Sequence, residues 1–181
     1  MANEHTYSKE ALAIAIEHDL TIMGTSDIHG LIDWEYENSR GRHRPVTLVL
    51  ARDRSAEAAK EALVAGRTVV WYDETLIGRT EWMDLLVRAS LEMMTVGYFR
   101  DSSILEVGFQ NRSDAPFHLR CTSDVSFYDA TDTLVVDPHS TRNVKVSTPA
   151  IGTPMSLEFE VMNAIVGPND HFKISFTTEP K

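Results

Sequence analysis

From about residue 97 onward the chain keeps a hydrophobic period of two. Leu105, Val107 and Phe109 alternate with Glu106, Gly108 and Gln110. Leu157, Phe159 and Val161 alternate with Glu158 and Glu160, and Phe172, Ile174 and Phe176 with Lys173 and Ser175. Side chains two apart share one face of a strand, so each run has one apolar and one polar face. Turn-forming stretches separate the runs: Asn111-Arg-Ser-Asp114, Asp137-Pro-His-Ser140 and Gly167-Pro-Asn-Asp170. Half-buried strands at this spacing, with no helical pattern between them, predict an all-β, immunoglobulin-like antiparallel sandwich over residues 97–181. The Cys–Trp–Cys set of antibody domains is missing, since Cys121 is the sole cysteine. That count also excludes an internal disulfide and a cysteine-cluster zinc site. Cys121 alternates with Phe117 and Leu119 and reads as a small buried hydrophobe.

Residues 1–96 have a different rhythm. Ser8 is placed to cap a helix running to about His18, with Leu12, Ala15 and Ile16 on one face. Thr21–Met23 and Val46–Ala51 are short apolar runs of the kind found in strands covered on both faces, as in a parallel sheet. Ser55 starts a second helix, which Gly66 ends in a left-handed conformation, and Val69–Tyr72 is a further strand. Thr80 opens a third helix, with Trp82, Leu85, Leu86, Ala89 and Met93 as its apolar stripe. The first part is therefore expected to be α/β, with the domain boundary near residues 95–101.

Net charge is −10, with a pI near 5.1. Residues 1–96 carry 10 basic and 16 acidic side chains, and residues 97–181 carry 7 and 11. Neither part has the basic surface that a grip on a nucleic-acid backbone requires. No apolar run approaches the length of a membrane span, and the first residues show no secretory signal pattern.

The chemistry-bearing motif is Gly24-Thr-Ser-Asp-Ile-His-Gly30. Asp27 and His29 stand two apart. In extended backbone that spacing puts them on one side, roughly 6.6 Å apart along the chain. A carboxylate and an imidazole so placed can converge on one ion or on two neighbouring ions, and they suit zinc, manganese or iron. Asp137-Pro138-His139 repeats the D-x-H pattern but reads as a turn. Ser26 lies too close in sequence to Asp27 and His29 for an in-line triad. The segment Asn38-Ser-Arg-Gly-Arg-His-Arg44 is locally basic. Its Arg40, Arg42 and Arg44 can hold a phosphate through forked hydrogen bonds, and His43 can add a ligand or a proton donor.

The order of these pieces, from Gly24-Thr-Ser-Asp-Ile-His29 through the strand at Val46 to Glu61-Ala-Leu-Val-Ala-Gly-Arg-Thr-Val-Val-Trp71 and Leu76-Ile-Gly78, resembles the last part of the polymerase-and-histidinol-phosphatase (PHP) family of metal-dependent phosphoesterases. The resemblance covers roughly residues 3–95. It implies a segment of a β/α barrel, with Asp27 and His29 as ligands of a divalent-metal cluster that activates water against a phosphomonoester or phosphodiester. The family's opening H-x-H is absent from this sequence. The expectation is thus the C-terminal portion of a longer enzyme, inactive alone and completed by further chain or by a second copy, acting on a phosphorylated small molecule. The alternative is a non-catalytic β-sandwich binding module carrying a remnant α/β scaffold.

Overall fold

The computed structural model describes residues 2–3, 6–26, 28–36, 43–100 and 102–179. Two compact units result: residues 1–83 with 164–171, and residues 84–163 with 172–181.

The first unit opens with two-residue strands β1 (Ala2–Asn3) and β2 (Thr6–Tyr7), paired antiparallel. Helix α1 (Lys9–Glu17) follows, its Ser8 hydroxyl accepting the Ala11 N–H at 3.1 Å as the sequence predicts. Arg79 serves the other end of α1. Its guanidinium donates to the carbonyls of Ala15 and Leu20 and pairs with Asp19 at 3.0 Å, so the last-turn carbonyls have a cation where the helix dipole favours one. A short helix α2 (Ile32–Glu35) precedes strand β3 (Val46–Val49) and helix α3 (Ala56–Val64). The Ser55 hydroxyl caps α3 through the Ala58 N–H, and Gly66 lies just beyond its end at φ +66°, where a side chain would be strained. Strands β4 (Thr68–Tyr72) and β5 (Thr75–Gly78) come next.

The parallel sheet expected here does not form, and no barrel segment is seen among the described residues. β3–β4 and β4–β5 run antiparallel; only Ala164 and Ile165, late in the chain, pair parallel with β5. The reason is the connection. Asp73 and Glu74 alone join β4 to β5, with Asp73 at φ 54°, and a two-residue link permits only a hairpin. Of the apolar runs that suggested parallel strands, Val46–Val49 is half-buried along its length at the edge of its sheet, and Thr21–Met23 is not a strand. Leu12, Ala15, Ile22, Val70, Ile77 and Ile165 form the core, with Tyr7, Ile16 and Tyr72 packed against it.

Helix α4 (Thr80–Ser90) ends sooner than its sequence stripe implies. Its buried residues are Met83 and Val87, whereas Leu85 is exposed and Met93 lies on the following strand. Leu91 and Met93 fit both a helical and a period-two pattern, and the strand wins from Leu91 onward.

The second unit is built on strands β6 (Leu91–Tyr98), β7 (Ile104–Asn111), β8 (Phe117–Cys121), β9 (Thr133–Val136), β10 (Thr141–Ser147), β11 (Ser156–Gly167) and β12 (Asp170–Thr177). Residues 164–167 of β11 and 170–171 of β12 belong to the first unit. One sheet has the order β10-β7-β6; in the other β11 pairs with β8, β8 with β9, and β12 with β11. The period-two faces behave as predicted. Leu105, Val107, Phe109, Leu157, Phe159 and Val161 are all fully buried. Phe109, Phe159 and Phe176 meet edge to face with centroids 5.2–6.2 Å apart, the arrangement aromatic quadrupoles favour. Cys121 is half-buried opposite Phe159 in the β8–β11 pairing, and burial pushes its thiol pKa up, away from reactivity.

Candidate functional site

The segment leading to the D-x-H motif is not a strand of the sheet. Three threonine hydroxyls hold it in place of a ladder. Thr21 donates to the Leu63 carbonyl at 2.9 Å. Thr68 donates to the Ile22 carbonyl at 2.7 Å. The Thr47 hydroxyl both accepts the Gly24 N–H and donates to the Gly24 carbonyl, each at 3.1 Å. Gly24 has to be a glycine here for reasons of space. A Cβ at that position would lie 2.5 Å from Val70 Cγ1, 3.3 Å from Val70 Cγ2 and 3.5 Å from Pro45 Cβ. Beyond Gly24 a second tie appears. The Tyr36 hydroxyl donates to the Ser26 carbonyl at 2.6 Å, and its buried ring sits edge-on to Tyr72.

Between these ties opens a cleft of about 460 Å³, lined by Gly24, Thr25, Ser26, Arg44, Pro45, Val46 and Thr47. One wall is thus the backbone that runs toward Asp27, and the other is the start of β3. Arg44 is exposed at the cleft and makes no ion pair among the described residues. Its guanidinium and the neighbouring hydroxyls are the groups a phosphate ester would need.

His29 is exposed and makes no hydrogen bond among the described residues. Asp27, Arg40 and Arg42 lie outside the described residues. His43 is half-buried rather than a free loop side chain: its ring tilts against Trp71 at 4.2 Å and its Nδ1 bonds the Arg44 carbonyl at 2.8 Å. A carbonyl only accepts, so Nδ1 carries a proton, and Nε2 is buried without a hydrogen-bond partner among the described residues. His139 contacts Asp114 at 2.7 Å and sits in the turn expected of it, at φ 51°. Among the described residues no three His, Cys, Asp or Glu side chains gather at one point. His29 and Asp27 have the right chemistry for a divalent ion but are two where a catalytic zinc site normally takes three protein ligands. Sequence reasoning marks Tyr36, with Trp34, only as a residue to stack on an aromatic leaving group or close the barrel mouth; it misses Thr47 and the Tyr36 hydroxyl's tie, whose partners lie 23 and 10 residues away in sequence. No helix among the described residues is long and apolar enough to cross a membrane.

With this geometry in view, two comparisons bear on the chain. Residues 91–177 match the model of a family described as an Ig-like domain, in keeping with the observed sandwich. A solved structure from Bacteroides vulgatus, described as a two-domain protein containing a predicted PHP-like metal-dependent phosphoesterase, is similar at 28% identity with a TM-score of 0.86. The match covers 97% of this chain and 50% of that one, so the chain spans half the length of that relative. Among curated proteins none matches.

Proposed function

We propose that this chain is the C-terminal part of a PHP-like metal-dependent phosphoesterase, with an Ig-like domain at its end. Asp27 and His29 supply two ligands of the metal centre. The observation that carries this reading is the 28% identity over 97% of the chain to a protein containing a predicted phosphoesterase of that kind; the residues just before the D-x-H, Gly24–Ser26, line a cleft together with Arg44. Within this reading the remaining ligands come from polypeptide beyond these 181 residues or from a second copy. A divalent ion held there would acidify water and neutralise phosphate oxygens. The chain's own contribution is to present Asp27 and His29 and to orient the phosphate of a small ester through Arg44, with Arg40, Arg42 and His43 in support.

The test is hydrolysis of p-nitrophenyl phosphate and bis-p-nitrophenyl phosphate with added manganese or zinc. The chain is assayed alone and mixed with the half of the Bacteroides vulgatus relative that it does not match. The chain alone should show no turnover. The mixture should turn over, and Asp27→Ala or His29→Ala should abolish that activity. Turnover that survives both substitutions overturns the reading.

A second reading has its own support. The Ig-like match spans 91–177. Under it the chain is a binding module on an α/β scaffold, and neither the chain nor the mixture turns over substrate.

A further inference from the structure

We infer that Thr47 and Tyr36 are positioning residues that fix the backbone from which Asp27 and His29 are presented. The inference rests on the proposed role of those two residues as ligands. Thr47 occupies both polar groups of Gly24 with one hydroxyl. Tyr36 occupies the carbonyl of Ser26. The chain is therefore held at Gly24 and again at Ser26, immediately before Asp27.

The two ties come from independent elements. Thr47 is on β3, whose other neighbour β4 fixes it through the pairing Thr47↔Val70. Tyr36 follows α2, with its N–H bonded to the Ile32 carbonyl and its ring 5% exposed and set against Tyr72 with centroids 6.5 Å apart. A ring so packed cannot swing, so its hydroxyl marks a fixed point.

Their purpose is better explained by geometry than by stability. Gly24 and Ser26 both line an open cleft, where water can satisfy their backbone groups. A hydrogen bond that solvent can replace adds little net stability. It does select one backbone path among several, and metal ligands tolerate little misplacement. Thr47 lines the same cleft as Arg44, so the residue that fixes the backbone before the motif also fixes the wall beside the phosphate-binding arginine.

The test uses the full chain with Tyr36→Phe, Thr47→Val and Thr47→Ser. Backbone ¹⁵N order parameters of Ile28, His29 and Gly30 are measured, together with manganese affinity by electron paramagnetic resonance. Tyr36→Phe keeps the buried ring, Thr47→Val keeps the shape, and Thr47→Ser keeps the hydroxyl. The first two should lower the order parameters from near about 0.85 toward about 0.6. They should weaken manganese binding about three- to tenfold, the range of one net hydrogen bond. Thr47→Ser should restore both. Order parameters unchanged in Tyr36→Phe and Thr47→Val, or equally disturbed by Thr47→Ser, overturn the inference. If the unsubstituted chain binds no manganese, the two ligands do not suffice without the remaining ones, and the order parameters still decide whether the two hydroxyls hold the segment.

Discussion

The hydroxyl of Thr68 donates to the carbonyl of Ile22 at 2.7 Å, with both residues 1% exposed. No water reaches this bond, so its loss leaves a buried acceptor unsatisfied. Thr68→Val keeps the shape and removes the donor. It should destabilise the first unit by about 1–3 kcal/mol, whereas Thr68→Ser should cost less. Urea unfolding of the three proteins checks this, and a Val variant as stable as the parent would show that the bond contributes nothing.

Gly24→Ala tests the tight contact beneath the motif. The added Cβ meets a Val70 side chain that is itself 1% exposed, so Val70 has nowhere to retreat. Overpacking of this kind typically costs about 1–3 kcal/mol. Pairing it with Val70→Ala should recover part of the loss through relief of the clash, and a strictly additive double variant would argue that no clash exists.

Much of the fold was legible where the chemistry is local. Ser8, Ser55 and Gly66 mark helix ends because a cap is satisfied within three residues. The sandwich strands were legible because alternation reports burial directly. What failed was direction and partnership. Val46–Val49 and Thr68–Tyr72 are as apolar as parallel strands, yet the short Asp73-Glu74 link makes β5 return antiparallel. Thr21–Met23 looks like a strand but lies outside every ladder, tied by hydroxyls from Thr47 and Thr68 that sequence spacing does not reveal. Of the candidate site, the D-x-H pair and Arg44 were visible as residue types. The cleft that brings Arg44 beside Gly24 and Ser26 was not, because it depends on long-range packing.

Asn111 is 1% exposed, and its side-chain amide donates toward the carbonyls of Ala115, Val136 and Asp137 at 2.8–3.2 Å. It knots the end of β7 to the chain around β9. Asn111→Ala strips the buried carbonyls of Ala115 and Val136 of that donor and should cost the second unit roughly 2–4 kcal/mol. The measure is the urea midpoint followed by β-sheet circular dichroism.

Glu61 accepts a forked pair of bonds from Arg67, at 3.0 and 2.6 Å. Those bonds hold its carboxyl below the ordinary value of 4.5. The native state therefore binds a proton at Glu61 less readily than the unfolded chain. The contribution is fully present above that ordinary value and fades as pH falls through the lower native one. Glu61→Gln should accordingly lose less stability on acidification from about pH 6 to about pH 3 than the parent does. Parallel acid limbs for the two proteins would contradict the prediction.

Asp27 and His29 are the proposed metal-binding pair of this chain. The most direct test is manganese-induced broadening across the ¹H–¹⁵N spectrum of the 181-residue protein, a readout sensitive to weak sites. Broadening should centre on residues 25–31, vanish in Asp27→Ala and His29→Ala, and persist in His139→Ala, the matched D-x-H control. Broadening centred on Asp137–His139, or broadening near residues 25–31 that survives both site substitutions, would contradict the account.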